Sequence, residues 1–362
     1  MSPAARPEPA RSASAERTPR ILVIRRRYLG DIVLLGPVLR NLRLYWPQAS
    51  LTVLVEPAYA GVLSLNPDVD AELVLPRRVR EWPKFLRRLR QARCTHVFDF
   101  DNNERTALLA RLSGAPFRAT VWHEGSQPRF AGLYTHRQYD PPAAHEMRPI
   151  TGYYLSLLSA AGVPVVTHEV RLVPHEADVA FVRGLLSRWL GAVIGPHSRR
   201  LLVHPGSRSP FRLWPPERFG EVCRRVKSEL AAEVVLIAGP GEEDILRQVL
   251  RHADAGQPVI DQPLSIPQLA ALAAQFDLML CHDSGPMHVA AAVGTRVVAL
   301  LGSQNPVLFA PPGPGHTVLH PPLPCRNCVA PGTCVPGDSY RSYCVRNIPV
   351  EQVFVAIRDQ LV

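Results

Sequence analysis

Lysine is almost absent from this chain: Lys84 and Lys227 are the only two among 41 basic residues, and the rest are arginine. An Arg-, Ala- and Pro-heavy composition follows codon bias, so most of the formal charge of +10 reads as solvated surface. No apolar run approaches the roughly 18–20 residues that span a bilayer, which excludes a transmembrane helix. The first 19 residues lack the apolar segment of a secretory signal and read as a disordered tail. Seven cysteines is an odd number, and Cys94, Cys223 and Cys281 lie in apolar or helical sequence typical of reduced core thiols. A cytoplasmic location is the expectation. No basic motif is interleaved with aromatics, which argues against nucleic acid.

What is present suits a large globular protein: 362 residues, 46% hydrophobic and 20% charged, with room for two domains. Strand-like apolar runs at 21–24, 51–55, 95–100 and 117–122 alternate with helix-like runs at 32–45, 82–93 and 104–113. The pattern repeats with strands at 201–204, 233–239, 277–281 and 296–302 and helices near 216–229, 241–253, 266–275 and 286–293. Such alternation implies parallel sheets covered on both faces. The expected class is α/β, with two Rossmann-like domains (20–165 and 176–345) facing one another across a cleft. Val353, Phe354, Ile357 and Leu361 then fall at helical spacing in a closing segment, 346–362.

Ligands of such sheets bind beyond the C-terminal strand ends. The most informative strand end is DLMLCHDSGPMH, residues 277 to 288. Asp283, Ser284 and Gly285 lead into a helix with Pro286 in its first turn and His288 after it. Free N–H groups and the positive end of a helix dipole make that spot ready for phosphate. An ordinary turn whose Ser or Asp caps the helix reads equally well here. Gly30 and Asp31 open a helix after the first strand, where an Asp is usually a cap. In HPGSRSPFRLW, Gly206 and Ser207 let a ligand approach the backbone, and Arg208 and Arg212 offer guanidinium forks for phosphate. AGPGEED lacks the G-x-G-x-x-G spacing, but Glu242 or Glu243 could take ribose hydroxyls.

These segments together resemble the ADP-heptose:lipopolysaccharide heptosyltransferases, glycosyltransferase family nine, from about Ile21 to the C-terminus. The matching pieces are ILVIRRRYLGDIVLLGPVLRNL, LNPDVD, HPGS with RLWPPERF, and DSGPMHVAAAVGTRVVALLGSQNP. The resemblance implies the GT-B fold and heptose transfer from an ADP-sugar to a lipopolysaccharide core or other lipid-linked acceptor, with inversion. It implies Asp31 as general base, with Gly30 beside it on the acceptor side. It puts Gly206, Ser207 and Arg212 at the diphosphate, with Arg212 standing where the family often has Lys. Glu242 or Glu243 falls at the ribose, Leu264 at the adenine, and Asp283, Ser284, Gly285 and His288 around the donor. No cofactor is then required for catalysis.

Other features compete for attention. Asp99-Phe100-Asp101 is a D-x-D of the kind that holds a metal elsewhere, but it ends a strand in the first half, away from the donor turn. Asp283, Ser284 and His288 suggest a hydrolase triad, yet no G-x-S-x-G surrounds Ser284. Cys325, Cys328, Cys334 and Cys344 can form a structural zinc site or pack as thiols; the spacing is not a clean pair of C-x-x-C knuckles. A basic amphipathic helix from about Trp82 can dock on anionic lipid, giving peripheral contact with the inner membrane, or on a phosphorylated acceptor. A sugar-nucleotide epimerase of the same fold and a non-catalytic nucleotide-binding module are the rival functions.

Overall fold

The structure, a computed structural model, describes residues 18–190, 199–208, 212–302, 304–321 and 345–362. The chain divides into two compact units, Met1–Val170 and Arg171–Val362.

The first unit is built on six parallel strands: β1 (Arg20–Ile24), β2 (Ser50–Val55), β3 (Ala71–Val74), β4 (His96–Asp99), β5 (Phe117–His123) and β6 (His136–Asp140). Their order is β3-β2-β1-β4-β5-β6. Around them lie α1 (Leu29–Val33), α2 (Gly36–Tyr45), α3 (Trp82–Gln91), α4 (Glu104–Leu112), α5 (Pro142–His145) and α6 (Ile150–Ala160). Ile21, Leu22, Val23 and Ile24 are all buried, as a parallel strand covered on both faces requires.

The second unit repeats the plan with β7 (Arg200–His204), β8 (Glu233–Ile237), β9 (Val259–Ile260), β10 (Leu278–His282), β11 (Arg296–Leu300) and β12 (Thr317–Leu319), ordered β12-β11-β10-β7-β8-β9. Its helices are α7 (Glu176–Leu190), α8 (Pro216–Leu230), α9 (Glu243–Leu250), α10 (Ile266–Ala273), α11 (Gly285–Ala292), α12 (Pro306–Phe309) and α13 (Val350–Leu361). Trp214, Phe219, Val222 and Val226 share one core with Val353, Phe354, Ile357 and Leu361 of α13, so the closing helix is part of this unit. The expected α/β class with two Rossmann-like units is the observed one. In each unit the strand order reverses once, between β1 and β4 and between β7 and β10, and such switch points are where open α/β sheets bind ligands.

Two local expectations are corrected. The helix expected over 32–45 is two helices, because Pro37 has no N–H to continue the bonding of α1 and instead suits the first turn of α2. Strands β3, β6, β9 and β12 and helix α7 were not expected; β3 and β6 lie at the edges of one sheet, β9 and β12 at the edges of the other. Among the described residues no helix is long and apolar enough to cross a membrane.

Candidate active site

At the switch point of the second unit, two strand ends are tied by a buried histidine. His282 closes β10 and is fully buried. Its Nε2 accepts from the Trp214 backbone N–H at 2.7 Å, and its Nδ1 lies 3.3 Å from the Gly206 carbonyl. Since Nε2 accepts, Nδ1 carries the hydrogen and donates to Gly206. Burial pushes the His282 pKa down to about 3, so the ring stays neutral and both bonds persist at neutral pH. His282 thereby holds the HPGS loop against the turn after β10.

Glu242 fills the space beside that loop. Its Oε2 lies 3.0 Å from His204 Nε2 and accepts from the Gly239 backbone N–H at 2.7 Å. Burial works to raise the Glu242 pKa, but the hydrogen bond and charge of His204 and the Gly239 N–H outweigh it and hold the carboxyl below its ordinary value. Glu243 stands outside this cluster. It is exposed and, among the described residues, accepts only from the Gly241 N–H at 3.1 Å. Leu264 packs at the margin of the apolar layer under α10, directly before Ser265, whose hydroxyl caps that helix.

Beyond β10, Arg212 Nη1 meets Asp283 Oδ2 at 2.9 Å, linking the segment after β7 to the turn after β10. Ser284 is the N-cap residue of α11, yet its side chain makes no capping bond, and its buried Oγ has no hydrogen-bond partner among the described residues. The capping reading therefore does not hold for Ser284. The first turn of α11 keeps its backbone N–H groups without a side-chain cap. The same bare hydroxyl removes the triad reading, since Ser284 makes no bond to His288, which is buried in α11. Gly206 and Ser207 lie on the β7 side of this site, and Gly285 opens α11 on the other.

The first unit carries Asp31 at its own switch point, in α1 next to buried Gly30. Asp31 Oδ1 receives Arg25 Nη2 at 2.5 Å and the Tyr154 hydroxyl at 3.1 Å. Oδ2 accepts from the Tyr28 backbone N–H at 3.1 Å, so one oxygen does cap the helix. Burial alone would lower the Arg25 pKa, but Tyr154, Asp31 and Asp101 raise it above its ordinary value. Oδ2 retains a lone pair with no partner among the described residues.

The D-x-D residues serve this ion network. Asp101 pairs with Arg26 Nε at 2.7 Å and Arg25 Nη1 at 3.4 Å. Asp99 is fully buried and accepts from the Tyr134 hydroxyl at 2.6 Å and the Asp101 N–H at 2.9 Å. Burial, together with Asp101, pushes the Asp99 pKa up to about 6. Beyond β4 and β5 a cavity of about 450 Å³ is lined by Arg26, Asn102, Arg105, Gln127 and Arg129. Asn102 donates from Nδ2 to Ser126 O at 2.6 Å, and its buried Oδ1 has no partner among the described residues. Cys325, Cys328, Cys334 and Cys344 lie outside the described residues.

Sequence reasoning missed Arg25, Tyr154, His204 and His282. His204 and His282 each follow a run of apolar strand residues, Leu201–Val203 and Leu278–Cys281, a signal that was available. Tyr154 reaches Asp31 from 123 residues away, and nothing local marks it.

Two Rossmann-type units, each with polar residues gathered at its switch point, define an α/β protein of the GT-B type. Residues 82–335 match the model of glycosyltransferase family 9 (heptosyltransferase), and the chain belongs to that family. It is 24% identical over 303 residues to lipopolysaccharide heptosyltransferase 3 of Escherichia coli K12, covering 79% of this chain and 83% of the relative. Among solved structures it is similar to a family 9 glycosyl transferase from Veillonella parvula, with a TM-score of 0.79, 23% identity, and 97% and 99% of the two chains covered. Similarity extends to the E. coli ADP-heptose lipopolysaccharide heptosyltransferase II, with a TM-score of 0.73, 21% identity, and 94% and 98% covered.

Proposed function

We propose that the chain is an inverting heptosyltransferase, moving heptose from ADP-heptose to a lipopolysaccharide core or related lipid-linked glycan in the cytoplasm. The observation that carries this reading is the anion site of the second unit: Arg212, the unpartnered Ser284 hydroxyl and the uncapped start of α11 gathered beyond β7 and β10. Such a site suits the diphosphate of a sugar nucleotide. The donor and acceptor are taken from the E. coli relative, whose name carries both.

In this reading Glu242, set inside the site, takes the ribose hydroxyls in preference to exposed Glu243. Leu264 meets the adenine, and Gly206 and Ser207 let the diphosphate approach the backbone. Asp283, Gly285 and His288 surround the phosphates and sugar. As the sugar–oxygen bond breaks, negative charge grows on the leaving ADP. Arg212 and the α11 N–H groups stabilise that charge, which is why no metal is required. Asp31 takes the proton of the acceptor hydroxyl on Oδ2 while Arg25 and Tyr154 hold Oδ1 in place. The acceptor oxygen attacks the anomeric carbon from the side opposite ADP, and configuration inverts. The arginine-lined cavity of the first unit offers room for the acceptor glycan.

The test is to incubate the full chain in EDTA with ADP-heptose, with and without heptose-deficient lipopolysaccharide. ADP release with gain of one heptose, only when acceptor is present, supports the reading. Conversion of the donor without acceptor would establish an epimerase instead. Dependence on added Mg²⁺ or Mn²⁺ would bring Asp99 and Asp101 back as ligands.

A further inference from the structure

We propose that the exposed face of α3, with the turn before it, docks the protein on an anionic lipid bilayer. Arg77, Arg78, Arg80, Lys84, Arg87, Arg88, Arg90 and Arg93 are all exposed, and Glu81 is the only acid among them. Phe85 and Leu89, with Trp82 and Leu86 packed beside them, anchor α3 to the core of the first unit, and the face that carries Lys84, Arg87, Arg88 and Arg90 is turned to water. None of these eight cations forms an ion pair among the described residues. Elsewhere in the same unit Arg25, Arg26, Arg40 and Arg43 each meet a carboxylate. Eight like charges on one short stretch repel one another, and an external anionic surface relieves that repulsion.

An apolar residue stands in the middle of this charge. Val79 is 85% exposed, flanked by Arg78 and Arg80 in the turn preceding α3. A cationic face carrying an apolar tip is the chemistry of an interfacial helix: the charges meet headgroups and the tip enters the acyl boundary. Single-stranded nucleic acid would call for aromatic rings open to stacking. Trp82, the aromatic nearest the patch, is already engaged by Arg105 at 4.9 Å and by Phe85 at 5.4 Å. Arg105 also lines the polar cavity, so the patch borders the opening proposed for a lipid-linked acceptor.

Co-sedimentation of the full chain with phosphatidylglycerol-containing vesicles, with phosphatidylcholine vesicles as reference, tests it. Wild type should pellet with the anionic vesicles at roughly 0.1 M salt and be released at about 1 M, where the Debye length shrinks to about 3 Å. Replacing Arg87, Arg88 and Arg90 together by Gln should weaken partitioning about 100-fold, each charge being worth about fivefold. Val79→Asp should weaken it further while leaving the melting temperature unchanged. Replacing Arg247, Arg251 and Arg358 by Gln in the second unit should change nothing. Equal pelleting of wild type and the α3 variant would overturn the proposal, as would equal binding to phosphatidylcholine. Binding of single-stranded RNA without vesicle binding would also overturn it.

Discussion

The Glu242 carboxylate occupies the place that a side chain on Gly206 would need: a Cβ there would lie 2.1 Å from Glu242 Cδ. Glycine at 206 is therefore a vacancy reserved for a carboxylate. Gly206→Ala forces Glu242 to swing out, since the carboxyl end of a glutamate moves more easily than the loop. That loses the 3.0 Å contact with His204 and the 2.7 Å bond from Gly239 N–H. The fold should survive, while ADP affinity falls about tenfold or more through loss of the charge-assisted ribose contact proposed for Glu242. Glu242→Ala should fall equally, and the double variant no further. Additive losses in calorimetric titration of ADP would show that Gly206 and Glu242 act separately.

His282 sets a pH dependence of stability in the second unit. Its pKa is about 3 when folded, against an ordinary 6.5. Between those values the unfolded chain binds a proton that the folded one refuses, so stability rises with pH across the window and is lost as pH falls from 6.5 toward 3. The slope from this one group is about 1.4 kcal/mol per pH unit. Asp99 in the first unit acts with the opposite sign. Its folded pKa of about 6 lies above the ordinary 3.8, so its contribution is fully present below 3.8 and fades as pH rises through 6. Urea unfolding of a variant that keeps buried Trp214 as its sole tryptophan, followed by fluorescence, reads the second unit. His282→Gln should flatten the dependence there, and an unchanged slope would assign it to other groups.

Much of this organisation was legible because burial on both faces writes parallel strands as unbroken apolar runs, as in Ile21–Ile24 and Leu278–Cys281. The edge strands were not, since β9 has two residues and β6 reads HRQYD, with only Asp140 buried. Helix α7 was overlooked although Val179, Val182, Leu185 and Leu186 carry helical spacing. Site residues in strand-end loops announced themselves by glycine, serine and charge. Their partners did not. Asp31 is held by Tyr154 from α6, and an ion network through Arg25 and Asp101 crosses 76 residues of sequence. Long-range contacts of that kind are products of the sheet order, which no local pattern contains.

Asp31→Asn should lower turnover by about two orders of magnitude or more, the usual worth of a general base. Arg25 would keep Asp101 and the Phe100 carbonyl, the latter at 2.8 Å, so its charge stays paired. An amide nitrogen facing the Tyr28 N–H would cost the helix cap, about 1 kcal/mol. A small drop in melting temperature with intact ADP binding is thus expected beside the loss of rate. Turnover equal to wild type would leave Asp31 as a cap alone.

Arg212 and Asp283 yield the sharpest test of the anion site, because their 2.9 Å contact lets each variant be interpreted through the other. Arg212 uses Nη1 on Asp283, leaving the rest of its fork for phosphate. Arg212→Ala removes a charge-assisted contact worth about 1.5–3 kcal/mol, so ADP affinity should fall about 10- to 150-fold. It also leaves the buried Asp283 carboxylate without that cation, which adds repulsion toward the diphosphate. Arg212→Lys should recover part of the loss, since charge returns but the fork does not. In the Arg212→Ala background, Asp283→Asn should restore some affinity by removing the repulsion. Asp31→Asn should leave ADP binding untouched. If Arg212→Ala binds ADP like wild type, the phosphate contact belongs to another cation, and Arg208 is the next to substitute.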